Sequence, residues 1–123
     1  MPQDRQLYRI FTNITPQYCA HLNEEGEELR RLTARIMDIS GGGMQIRVKE
    51  PVAIGTLIRS IFLVEGDSDA LEVTTRALSI EEEERSGQRR VHSQFVDVPR
   101  NVQERVVRFV FRTQIAQQKR QAQ

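Results

Sequence analysis

One cysteine, two histidines, no tryptophan and 6% aromatic residues in a chain of 123 set the first limits. Cys19 stands alone, so no internal disulfide can form; a stapled secreted scaffold is excluded and a reducing, cytoplasmic compartment is expected. His21 and His92 belong to no HxxxH pattern, and no CxxC spacing occurs, so the usual layouts of a metal site are missing. Each histidine reads as an ordinary strand residue. No apolar run approaches the ~18 residues of a membrane span, and the polar start Met1-Pro2-Gln3-Asp4-Arg5 lacks the layout of a signal peptide. No GxSxG elbow marks a nucleophile. Gly41-Gly42-Gly43 is not followed by the Lys-Ser/Thr pair and helix that a phosphate-cradling loop needs. The expectation is a binding protein with neither metal nor cofactor, and not an enzyme. The 18 Lys and Arg nearly cancel the 17 Asp and Glu, for a net charge of +1; this balance, with so few aromatics on the strands, argues against a binder of bulk or single-stranded nucleic acid.

What is present is a run of short apolar segments. At 38% hydrophobic residues the chain can bury a core as one domain. Residues 1–16 show no sustained period, carry Arg5 and Arg9, end at Pro16 and read as a flexible arm. Between 17 and 98, segments rich in Val, Ile, Leu and Thr alternate with acidic or glycine-containing turns, the pattern of a small antiparallel barrel or sandwich. The spacing predicts six strands: Tyr18 to Leu22, Leu29 to Ile39, Met44 to Lys49, Leu57 to Val64, Leu71 to Ile80 and Val91 to Val96. In Met44-Gln45-Ile46-Arg47-Val48-Lys49 strict alternation places Met44, Ile46 and Val48 on the core face.

The period then changes. A helix is predicted over 99–120, with Pro99 in its first turn and Asp97 before it to serve the exposed N–H groups. Val102, Val106, Phe109, Val110 and Thr113 form one stripe that should pack on the strands. Val107, Phe111 and Ile115 make a second apolar row, which either contacts a second subunit or another protein or packs under a loop.

Two short segments carry possible chemistry. In Asp38-Ile39-Ser40-Gly41-Gly42-Gly43, the Asp and Ser lie two apart and so share a side of a strand, offering two acceptors and a hydroxyl donor at a rim. Adjacent glycines permit positive φ and close approach of a ligand to the backbone. The alternative is a tight turn in which both side chains bond local N–H groups. The second segment is Arg5-Gln6-Leu7-Tyr8-Arg9, whose two guanidinium groups can fork onto phosphate and lay a flat face on a base.

Together these segments resemble the PilZ domain, a bacterial receptor family for cyclic di-GMP. Arg5 and Arg9 match the RxxxR motif; Asp38, Ser40 and Gly43 match the fixed positions of the D/NxSxxG motif, and Gly42 is also typical. Phe95-Val96-Asp97 followed by Arg108-Phe109-Val110-Phe111-Arg112 is similar to the end of PilZ domains from flagellar-brake-type proteins. The resemblance implies a mainly β fold, a six-stranded antiparallel β-barrel with a C-terminal α-helix. It implies that Arg5 and Arg9 clamp phosphate and stack on guanine, that Asp38 and Ser40 bond a guanine edge and the arm, and that Gly42 and Gly43 keep the turn open. Asp4 stands where many members carry a further Arg, and His92 where the family commonly has Gly.

The function expected is a cyclic di-GMP receptor whose arm orders on binding and signals to an effector protein in motility, adhesion or biofilm control. A homodimer through the C-terminal helix is a further expectation, and a PilZ-like adaptor that binds no nucleotide is the alternative. The charge balance conceals a division: residues 99–123 carry net +5 and the preceding part net −4. Arg5 and Arg9 therefore place local positive charge on an otherwise acidic body.

Overall fold

The structure, a computed structural model, describes residues 9–121. Eight strands precede one helix: β1 (Arg9–Ile14), β2 (Tyr18–Leu22), β3 (Glu28–Arg31), β4 (Ala34–Ser40), β5 (Gly43–Val48), β6 (Leu57–Phe62), β7 (Leu71–Glu82), β8 (Arg89–Phe95) and α1 (Arg100–Gln121). All neighbours are antiparallel, in the order β1-β4-β5-β8-β7-β6-β2-β3. The expected six-stranded closed barrel is thus corrected to an open eight-stranded sheet with β1 and β3 at its edges.

Both extra strands have a local cause. The stretch read as an arm contains Ile10, which is buried, next to Phe11, which is 73% exposed. An outward aromatic beside an inward isoleucine hides the two-residue period of a half-buried strand. The long second segment breaks at Leu32-Thr33. Leu32 is buried with its N–H on the Cys19 carbonyl at 2.8 Å, while Thr33 donates its N–H and hydroxyl to the Glu50 carboxylate at 2.6 and 2.8 Å. The chain therefore leaves β2 as its partner and rejoins the sheet between β1 and β5.

One core unites residues from distant strands, among them Ile10, Cys19, Ile36, Ile46, Phe62, Val73 and Val91, with Val106, Phe109 and Val110 of the helix. Contact among residues so far apart in strand order requires the sheet to coil about this core. Met44, Ile46 and Val48 face it as alternation predicts. On α1 the stripe of Val106, Phe109 and Val110 is buried, whereas Val107, Phe111 and Ile115 are exposed. The first i→i−4 bond runs from the Gln103 N–H to the Pro99 carbonyl at 2.9 Å. Pro99 therefore sits one position before the helix, and Asp97 takes φ 50. No helix among the described residues is long and apolar enough to cross a membrane.

Candidate functional site

Two β-bulges determine which side chains reach the outward face. In the β4/β5 ladder, register shifts between Ile36, opposite Ile46, and Asp38, opposite Gln45. Without the extra residue Met37, Ile36 and Asp38 would share a face; with it Ile36 enters the core and Asp38 points outward. In β7, register shifts between Ala77, opposite Ser93, and Ser79, opposite His92, which leaves Leu78 unpaired. The outcome is a cross-strand row of Phe11, Asp38, Gln45, His92 and Ser79 on five neighbouring strands.

Arg9, Asp38, Ser40, Gly42, Leu78 and His92 are among the residues that surround a concavity of about 200 Å³ on this face. Its size is below the ~300–1,000 Å³ of pockets that enclose a whole small ligand, so it accommodates a part of one. Arg9 Nη2 donates to Asp38 Oδ2 at 2.6 Å and to Gln45 Oε1 at 3.3 Å. The Asp38 side chain is 9% exposed and that of Arg9 43%. The guanidinium also lies 5.7 Å from the Phe11 ring centroid, within cation–π range. A buried carboxylate is thus held by a half-exposed cation whose outer surface stays open to solvent.

Asp38 and Ser40 do different work. The Ser40 hydroxyl accepts from the N–H groups of Gly42 and Gly43 at 3.2 Å each and donates to the Gly43 carbonyl at 3.3 Å. It follows the tight-turn reading, whereas Asp38 reaches across to another strand. Gly41 and Gly43 do not take positive φ, which corrects the expectation for this run. Gly43 is required for space: a Cβ there would lie 2.0 Å from the Ser93 carbonyl oxygen. The turn is tied to the helix as well, since Gln103 Nε2 donates to the Gly41 carbonyl at 2.6 Å.

Arg5 lies outside the described residues. Gln45 and Leu78 meet this concavity although sequence reading passed over them, and His92, noted there only as a departure from the family's Gly, lines it as well. Gln45 was accessible in principle, because the alternation that sends Met44 and Ile46 inward sends Gln45 outward. The position of Leu78 depends on a bulge that no local pattern announces. His92 Nε2 lies 3.5 Å from the Glu81 carboxylate. Among the described residues, no three His, Cys, Asp or Glu side chains are grouped to hold a metal ion.

Comparison with known proteins places this geometry in context. The chain is similar in fold to the Bacillus subtilis inhibitor of motility MotI/DgrA, at 16% identity and TM-score 0.65, over 88% of this chain and 50% of that one. It is similar to Escherichia coli YcgR in complex with c-di-GMP, at 19% identity and TM-score 0.64, over 93% of this chain and 47% of that one. The isolated PilZ domain of the same YcgR with c-di-GMP aligns at 17% identity and TM-score 0.58, over 91% and 95%. The chain therefore spans about half the length of the first two. No curated protein matches the chain in sequence. The family model of the PilZ domain matches residues 3–112, and on that match the chain belongs to the PilZ domain family.

Proposed function

We propose that this chain is a receptor for cyclic di-GMP, acting in a bacterial cytoplasm by binding rather than by turnover. The observation that carries the reading is the convergence of Arg9 and Asp38, 29 residues apart, with Ser40 and Gly43 on one outward concavity. Two similar solved structures hold c-di-GMP, which agrees with the chemistry this face offers.

Arg9 Nη2 serves Asp38 and Gln45, leaving the Nη1 and Nε N–H groups, on separate edges, to donate singly to phosphate oxygens while the guanidinium face stacks on a base. Asp38 gives Oδ2 to Arg9, and Oδ1 accepts from the N–H groups on a guanine edge. The Ser40 hydroxyl fixes the turn, and Gly42 and Gly43 keep side chains out of the ligand's path. In this reading Arg5, four residues before Arg9, completes the clamp as its segment becomes ordered over the ligand. With Arg9 already in β1, ordering residues 5–8 costs on the order of 4–8 kcal/mol, which charge-assisted bonds to two phosphates and base stacking must exceed.

The signal leaves through the turn. Gly41 is bonded to Gln103 and its open side faces Val107, 3.9 Å from where a Cβ would stand, so displacement of the turn bears directly on α1. The exposed row beginning at Val107 is where an effector protein, or a second copy of the chain, would read that change. Motility, adhesion or biofilm control is the process class expected of such an output. Calorimetric titration of the parent and of Arg9→Ala with cyclic di-GMP tests the reading. Saturable heat in the parent and at least a tenfold loss of affinity in the variant are expected; no heat at ~100 μM protein, or equal binding by Arg9→Ala, overturns it.

A further inference from the structure

The outward face carries a second concavity, further along the same strands, that the cyclic di-GMP reading does not use. β4, β5 and β8 set Arg35, Arg47 and Arg90 in one cross-strand row: Arg35 is the register partner of Arg47, and Arg47 of Arg90. Like charges directly opposite on neighbouring strands are destabilising, and here two successive pairs carry them. Beside the row, Thr15, Thr33, Arg35, Arg47, Lys49 and Gln88 are among the residues around a concavity of about 330 Å³.

The chain's own anions balance this charge only in part. Glu83, in the β7–β8 hairpin, accepts from Arg47 Nε at 2.8 Å and from Arg90 Nη2 at 3.1 Å. Glu81 stands opposite Arg90, with its carboxylate 3.5 Å from His92. Glu50 is taken up by the N–H and hydroxyl of Thr33. Among the described residues, Arg35 donates to the neutral Asn13 amide oxygen at 3.1 Å and Lys49 has no ion pair. Among the described residues the buried Arg90 Nε–H finds no acceptor. Of these four cations two share the carboxylate of Glu83, and Arg35 and Lys49 have no ion pair among the described residues.

We propose that this concavity is a second binding site, for a phosphoryl oxyanion, built by Arg35, Arg47 and Lys49. The Nε and Nη2 edge of Arg47 is turned to Glu83 and Nη1 of Arg35 to Asn13, so Arg47 offers Nη1 and Arg35 its Nε and Nη2 fork; a tetrahedral dianion accepts from donors on both strands at once, whereas a planar carboxylate satisfies one fork. The same dianion offsets the like-charge opposition of the row. Gln88 and Thr15 add neutral donors at the rim. On β5, Gln45 of the first site and Arg47 of the second are two residues apart, about 7 Å along the strand, so the sites are neighbours with separate side chains.

The test is a titration of the full chain followed by amide NMR, with inorganic phosphate, phenyl phosphate and sodium chloride at matched ionic strength as three arms. Saturable shifts of Arg35, Arg47, Lys49 and Gln88 with phosphate, absent in chloride, are expected. In the double variant Arg35→Gln/Lys49→Gln the affinity falls at least tenfold, while Arg108→Gln, on the exposed side of α1, titrates as the parent does. Both substituted residues are exposed, and the spectrum itself reports that the fold persists. Tighter binding of phenyl phosphate assigns the site to a phosphorylated molecule, and equal binding to free phosphate. Shifts that chloride reproduces, or a double variant that binds like the parent, overturn the proposal.

Discussion

The Arg9 guanidinium meets the Asp38 carboxylate on the diagonal of the β1/β4 ladder: Arg9 is the register partner of Ser40 and Asp38 that of Phe11, yet Nη2 reaches Oδ2 at 2.6 Å. This bond fastens the edge strand to its neighbour and at the same time aims the cation at the concavity. Removing Arg9 leaves a buried carboxylate short of its charged partner, a loss of about 1–3 kcal/mol. Urea unfolding of Arg9→Ala, Asp38→Asn and the double variant should show a coupling of at least ~0.5 kcal/mol. Strict additivity would mean that the pair contributes nothing to holding β1.

Gly43 and Gly41 should behave in opposite ways although both are in the same turn. A Cβ on Gly43 would overlap the Ser93 carbonyl oxygen at 2.0 Å, so β5 and β8 must part; at Gly41 the nearest atom stands 3.9 Å away, an ordinary contact. Gly43→Ala is expected to lose about 2 kcal/mol or more, and Gly41→Ala to stay within ~0.5 kcal/mol. Thermal melts of the two variants check this, and equal midpoints would contradict it.

Cys19 should be inert in the native chain. Burial pushes its thiol up to about 11, against the lowering effect of the Ser60 hydroxyl, which lies 3.7 Å from Sγ. From the ordinary thiol value of 9.0 that shift cuts the thiolate fraction near pH 8 about 100-fold. Iodoacetamide labelling at pH 8 should therefore be at least that much slower than in urea. Labelling at the unfolded rate would show that β2 opens freely from the strands beside it.

Acid should weaken the fold through three glutamates held below the ordinary carboxylate value. For Glu28 the cause is the bond from the Tyr18 hydroxyl; for Glu83 it is the bond from Ser86, with Arg47 assisting against desolvation. For Glu50, desolvation is the largest influence and acts upward, but the N–H and hydroxyl of Thr33, the Glu50 backbone N–H and the charge of Arg30 together outweigh it. A folded pKa below the unfolded one means that the unfolded chain takes up protons first. This stability is therefore complete above the ordinary carboxylate value of 4.5 and is lost as pH falls through it towards the folded values. Urea midpoints between pH 7 and pH 3 should drop across that window, and Glu50→Gln should flatten the slope. An unchanged slope in that variant would remove Glu50 from the account.

How much of this was legible in advance differed by element. Where one face is buried and the other wet, as in Met44 to Val48, alternation declares the strand and its inward side chains. β1 escaped because Phe11 points to solvent beside buried Ile10, and β3 because all four of its residues are exposed. The site was half legible. Asp38 and Ser40 stand out as short polar residues before glycines, but nothing local shows that Ser40 bonds within its own turn while Asp38 crosses to β1. Gln45 and His92 join the site through register, and Leu78 through a bulge, which are properties of paired strands and not of any one segment.

The most direct measurement of the central claim is an amide NMR map of the full chain titrated with cyclic di-GMP. Perturbations should concentrate on Arg9, Asp38, Ser40, Gly42, Gly43, Gln45 and His92, all on the outward face of β1, β4, β5 and β8 or in its turn, and should leave β3 and the β2–β3 hairpin unmoved. Perturbations centred on that hairpin, or none at saturating ligand, would contradict the assignment of this face as the receptor site.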